Sequence, residues 1–254
     1  MRRSLVAGVL LLGVIATGAC GSSSKKAAPT TTVAPTTSTT AATTTTTAAG
    51  ASSYASTDPV ANALNNTLLT ATEVQQVLKL PAVPGQEQPG PNSTPQGPLN
   101  ENGVLNVLPS AAVYKPLYDQ AGGGVGANVT YHLTSEKLDV GVLTVKFATA
   151  AGGQSFIQKA TGLVTTIAQG KPSPHPELGI GVLPPNMQEV IHIPPSAIAD
   201  PTNETVVIDF LYANGVAYLV DTVAPPGSIT DQAIIGLAKA QDAKYQAHKA
   251  SIGA

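Results

Sequence analysis

The residues of this chain whose types could do chemistry are its histidines, two acids set in apolar runs, a lone cysteine and two glycine-rich stretches. His132, His175, His192 and His248 show no metal-ligand spacing, and Cys20 has no second cysteine to join it. His132 and His192 both fall in segments that read as strands. They can approach each other across a sheet, or each can face solvent. Gly153-Gln154-Ser155 lacks the second glycine of a nucleophile elbow and opens a predicted helix, which makes Ser155 a helix-surface residue. Gly122–Gly126 has neither the lysine nor the Ser/Thr of a phosphate loop and reads as a flexible turn. Asp209 and Asp221 each interrupt an apolar strand, and whether they pair for acid/base work depends on which face each occupies. The sequence therefore predicts no catalytic residue, no cofactor and no metal site.

The acids must be positioned by a hairpin. TVVIDFLY (Thr205–Tyr212) and VAYLVDTV (Val216–Val223) are rich in β-branched and aromatic residues and flank Asn214-Gly215, a strong short-turn signal. A two-residue loop there pairs Phe210 with Leu219 and gathers Val206, Ile208, Phe210 and Leu219 on one face. The other face then carries Val207, Leu211, Tyr218 and Val220, and Asp209 and Asp221 point to opposite sides. A three-residue loop with a bulge shifts that register. Apolar residues on both faces place these strands in the middle of a sheet.

After Pro225-Pro226-Gly227, an amphipathic helix runs to about Lys249, with Ser228 as its candidate N-cap. Further back, Thr70 and Glu73 form a capping box ahead of a short helix that Pro81 ends. VTYHL (Val129–Leu133) and LDVGVLTVKF (Leu138–Phe147) read as paired strands, the second with a bulge near Gly141 or burial on both faces. A helix spans about Ala150 to Gln169, and EVIHI (Glu189–Ile193) is a strand. The Pro/Gly-rich stretches 81–103 and 171–187 read as long loops, and VLNVLP and AAVYKPLY carry no decisive pattern. The expected fold class is α+β, with an antiparallel sheet of four to six strands and two long helices packed on it.

The N-terminus carries a different message. Arg2-Arg3, an apolar run from Leu5 to Ala16 and small residues before Cys20 have the layout of a secretory signal peptide over 1–19. The run is too short to span a bilayer. Thr17-Gly18-Ala19-Cys20 resembles a bacterial lipoprotein leader, with Thr17 where Leu or Val is usual. That resemblance implies lipid attachment at Cys20, with a fatty acid such as palmitate. Residues 20–58 are Thr, Ala, Pro and Ser with almost no large apolar side chain, a composition that stays disordered and suits a tether. Residues 59–254 form the expected single globular domain. The chain has 13 Lys+Arg, 11 once Arg2 and Arg3 leave with the leader, against 15 Asp+Glu, a formal charge of −4. No basic patch emerges, which argues against nucleic acid as a partner.

The order of elements resembles a group of actinobacterial surface lipoproteins and the extracellular sensor domain of mycobacterial serine/threonine protein kinases. The matching pieces are LLTATEVQQVL, VGVLTVKFATAAGGQSFIQKA, VVIDFLYANGVAYLV and ITDQAIIGLAKAQDAKY. The resemblance implies an extracytoplasmic binding or sensing module with a PsbP-like or similar fold, and no chemistry. The expected partners are a membrane, through the lipid, and an apolar ligand or an envelope protein. A secreted hydrolase with a scattered site and a structural envelope protein are the alternatives. A large apolar pocket favours binding, a cleft with a Ser or Asp beside a histidine favours hydrolysis, and a well-filled core with flat polar surfaces favours a structural role.

Overall fold

The computed structural model describes residues 54–80, 88–89, 96–108, 111–133, 137–195 and 202–253. The signal peptide, Cys20 and most of the tether lie outside them. Eight strands form a single antiparallel sheet: β1 (Gln88–Pro89), β2 (Gly97–Leu99), β3 (Gly123–Leu133), β4 (Leu138–Phe147), β5 (Lys171–Pro174), β6 (Glu189–Ile193), β7 (Glu204–Leu211) and β8 (Val216–Ala224). The order across the sheet is β1-β3-β4-β8-β7-β6-β5, with β2 also paired to β3. Six α-helices lie among the described residues: α1 (Pro59–Asn65), α2 (Ala71–Leu78), α3 (Glu101–Val107), α4 (Ala111–Gln120), α5 (Ala150–Ile167) and α6 (Asp231–His248). The fold is α+β, and the strand count exceeds the expected four to six.

The additional strands are short and lie inside the Pro/Gly-rich stretches expected to be loops. β5 carries Pro172 and Pro174 and is an edge strand, the place where a missing N–H costs no ladder bond. Gly122–Gly126 is also not a free turn: β3 opens at Gly123, and its register slips between Gly123 and Gly126. The small residues admit neighbours there, since a Cβ on Gly126 would meet the Thr144 carbonyl of β4. VLNVLP and AAVYKPLY, undecided from their pattern, become most of α3 and α4.

The central hairpin departs from the two-residue loop. Tyr212 donates its backbone N–H to Val216 O (2.9 Å), and Gly215 N–H donates to Tyr212 O (2.9 Å), so Ala213, Asn214 and Gly215 form a three-residue loop. Gly215 has φ +81° while Asn214 is not in the left-handed region, whereas the two-residue turn needs both residues there. The register moves by one: Phe210 pairs with Tyr218, Asp209 with Leu219 and Val207 with Asp221. Every side chain of β8 thereby swaps faces relative to the two-residue expectation.

Both faces of the sheet are covered. On one, Val140, Val142, Ile208, Phe210, Tyr218 and Val220 pack against α1, α2 and α6, through residues such as Leu64, Val74, Ile234 and Tyr245. Phe210 stacks on Tyr218 at 5.3 Å, and Tyr212 stacks on Tyr245 at 3.7 Å. Gln241, fully buried in α6, accepts from Leu69 N–H (3.1 Å) and donates to Thr67 O (2.6 Å), which locks the α1–α2 link to the last helix. The other face carries Leu143, Val145, Phe147, Val207 and Leu211 against α3, α4 and α5. Local signals set the helix starts. Thr70 and Glu73 make the expected capping box, Thr149 caps α5, and Thr230, two residues past the expected Ser228, caps α6. Gly141 is not a bulge: β4 runs in register through Gly141 with both neighbours and is buried on both faces. Among the described residues, no helix is long and apolar enough to cross a membrane.

Candidate functional site

Among the described residues, the α5 face carries a shallow apolar cleft, floored by Leu143, Val145 and Phe147 of β4 and Leu219 of β8, and walled by Phe156 and Ile157 of α5. Phe147 and Phe156 lie 5.3 Å apart, and Tyr118 holds both at about the same spacing, 5.9 and 6.0 Å. Such clusters stay rigid because each ring packs edge or face against the next. One charged residue, Asp209, reaches this apolar lining.

Asp209 keeps the face of Val207 and Leu211, and the three-residue hairpin loop brings Asp221 and Leu219 of β8 onto that same face. In the observed register Asp209, Asp221, Asp139 and Gly141 share the α5 face, and Glu189 sits beside Asp209, one residue beyond the Val190–Ile208 pair. The expectation that Asp209 and Asp221 point to opposite faces is therefore corrected. Half-buried Asp209 makes no hydrogen bond or ion pair among the described residues, and burial, with Glu189 adding to it, pushes its carboxyl up to about 7. Asp221, 3% exposed, is pushed up to about 8 by burial and then by Asp139, and its Oδ1 has no partner. Its carboxyl lies directly over Gly141, where a Cβ would collide with it, so this glycine makes the acid's room. Tyr114, from α4, is fully buried against Phe156 with its hydroxyl unpartnered. Burial first, and the charge of Asp209 second, raise that hydroxyl, which puts both groups in one low-dielectric patch. The arrangement suits recognition of a mostly apolar body with one polar feature.

The histidines build a different structure. His175 Nε2 and His192 Nε2 meet the two oxygens of Asp231 at 2.9 and 2.7 Å, while their Nδ1 atoms meet Glu177 (2.8 Å) and Glu204 (2.9 Å). Each ring faces two acceptors, and only the imidazolium can donate to both. Hydrogen bonds to Glu177 and then Asp231 raise His175. Burial works against His192, but its bonds to Asp231 and Glu204 raise it overall. Burial also works to raise Asp231, yet the two imidazoles outweigh it and hold the acid down at about 2. Glu204 accepts from Gly227 N–H as well (3.0 Å). The chain of charges clasps the start of α6 to β6, β7 and the segment after β5.

His132 and His192 do not meet: His132 pairs with Asp139 on the α5 face, whereas His192 joins Asp231 on the opposite one. Ser155 sits in the first turns of α5, partly buried and with no histidine partner. His248 closes α6 on the surface. No group of three or more metal-ligating side chains is assembled among the described residues. Sequence reasoning missed Asp231, three residues past the expected N-cap Ser228, and Tyr114, in a segment of no decisive pattern. Neither has a local signal, since the partners of both lie far along the chain.

No protein-family model and no curated protein matches the chain. Among solved structures, the extracellular domain of PknH from Mycobacterium tuberculosis is similar at a TM-score of 0.43 and 17% identity, covering 72% of this chain and 95% of that one. That is the kind of protein the order of elements resembles. At that score and identity the likeness carries no functional argument.

Proposed function

We propose that this protein is a lipid-anchored extracytoplasmic binding module of the bacterial cell envelope, sensor-like and PsbP-like in layout, which holds an apolar ligand in the α5-face cleft. The carrying observation is the cleft itself: an aromatic and aliphatic lining with an unpaired acid and an unpartnered tyrosine hydroxyl beside it. Monomeric interiors rarely leave such groups unsatisfied without use. The leader and Cys20 support the anchor, and the Thr-rich tract supports a tether between it and the domain. Hydrolysis finds less support, because no histidine is among the residues lining the cleft, and the acid-paired His132, His175 and His192 lie outside it.

The test fills the cleft. Ala217, buried on β8, lines it, and Ala217→Met extends a flexible side chain into the open space. The full chain should bind the neutral apolar dye Nile red with a saturable fluorescence rise, and Ala217→Met should remove it while thermal unfolding stays cooperative. Equal dye binding by both proteins would refute the cleft. For the anchor, Cys20→Ser should abolish incorporation of an alkyne-tagged palmitate and release the protein from the membrane fraction. Unchanged labelling would refute it.

A further inference from the structure

We infer that the cleft selects a ligand whose apolar body carries a protonated amine, received by Asp209. The inference rests on the binding reading above and names the ligand's chemistry. Three acids, Glu189, Asp209 and Asp221, occupy neighbouring positions on one face of β6, β7 and β8, and among the described residues none of them meets a cation. Lys146, in neighbouring β4, is turned to the other face and donates to the Asn214 carbonyl.

An unpaired acid in a low-dielectric patch is unfavourable as an anion and gains most from a cation brought in with the ligand. An ammonium offers three N–H donors and no acceptor, which matches the unpaired carboxylate of Asp209 in the cleft lining. A ligand carboxylate would meet only like charge. A neutral alcohol could bond Asp209 without compensating the neighbouring acids. The rings of Phe147 and Phe156 add faces on which a cation near the cleft wall is also stabilised. Asp209 is half-buried, so the amine reaches it from the cleft mouth without the domain opening.

Three water-soluble probes of one shape separate the alternatives: 2-phenylethylamine, 2-phenylethanol and 3-phenylpropionate, titrated into the full chain by calorimetry and ligand-observed NMR. The amine should bind on the order of tenfold more tightly than the alcohol, and the propionate most weakly. Asp209→Asn should bring the amine to the level of the alcohol and leave the alcohol unchanged. Glu189→Gln, which removes the acid beside Asp209, should weaken the amine a few-fold. Circular dichroism and thermal unfolding establish that both variants are folded. If amine and alcohol bind equally, or the preference survives in Asp209→Asn, the cationic inference fails while the cleft stands. If no probe binds and the dye is also indifferent to Ala217→Met, the cleft reading fails with it.

Discussion

Replacing Asp231 by asparagine removes the carboxylate that two imidazoles share, and the consequences for stability have a definite sign at each pH. Asp231 is held at about 2 against an ordinary 3.8, which is on the order of 2 kcal/mol at neutral pH. Its side chain is 29% exposed, so solvent screening brings the expected loss to about 1–2 kcal/mol. For a domain of this size that lowers the Tm by about 3–7 °C. His175 and His192 are raised above 6.5, so their contribution is complete below 6.5 and fades as pH climbs through their folded values. Asp231 is lowered, so its contribution is complete above 3.8 and fades as pH falls toward 2. The groups facing the pair are Glu177, Glu204 and Ser173, with Lys239 near Glu177. Urea unfolding of the full chain and of Asp231→Asn, followed by circular dichroism from pH 3 to pH 9, should show the widest gap between about pH 4 and 6.5. The gap should narrow on both sides. A gap that is constant up to pH 9, or that widens in alkali, would show that the imidazoles are not the charged partners and refute the clasp.

Two further substitutions test the packing around the cleft and the opposite core. Gly141→Ala should cost about 2–4 kcal/mol in urea unfolding, because its new methyl group collides with the Asp221 carboxyl, and Asp221→Gly in the same chain should recover part of that loss. Gln241→Ala should cost about 2–4 kcal/mol by the same measurement, since Leu69 N–H and Thr67 O lose their shared partner inside the core. Its hydrogen exchange should rise first at Leu69.

Much of the architecture was legible because its signals are local. The capping box at Thr70, the periodicity of α5, the apolar run of β6 and the strands around Asn214-Gly215 each sit within a few residues of what they specify. What escaped depends on neighbours elsewhere. β5 reads as a loop because Pro172 and Pro174 forbid a central strand, and only its place beside β6 makes it a strand. Whether Asp221 shares a face with Asp209 hinged on whether Asn214 takes a positive φ, a choice that its contacts with Val216 N–H and the Tyr245 hydroxyl decide. The clasp joins a residue after β5, one in β6, one in β7 and the first residue of α6, and no spacing rule connects them. The cleft was legible only as an expectation that an apolar ligand would need one.

The two prolines of β5 have one more effect. Neither can donate to β6, so Lys171 and Ser173 supply the inward N–H groups and the outward-facing positions are the two that have none. A second molecule arriving at that border finds carbonyls and no donors, and cannot zip on as a ninth strand. For copies held side by side on one surface at high local density, this border keeps neighbours from polymerising through their sheets.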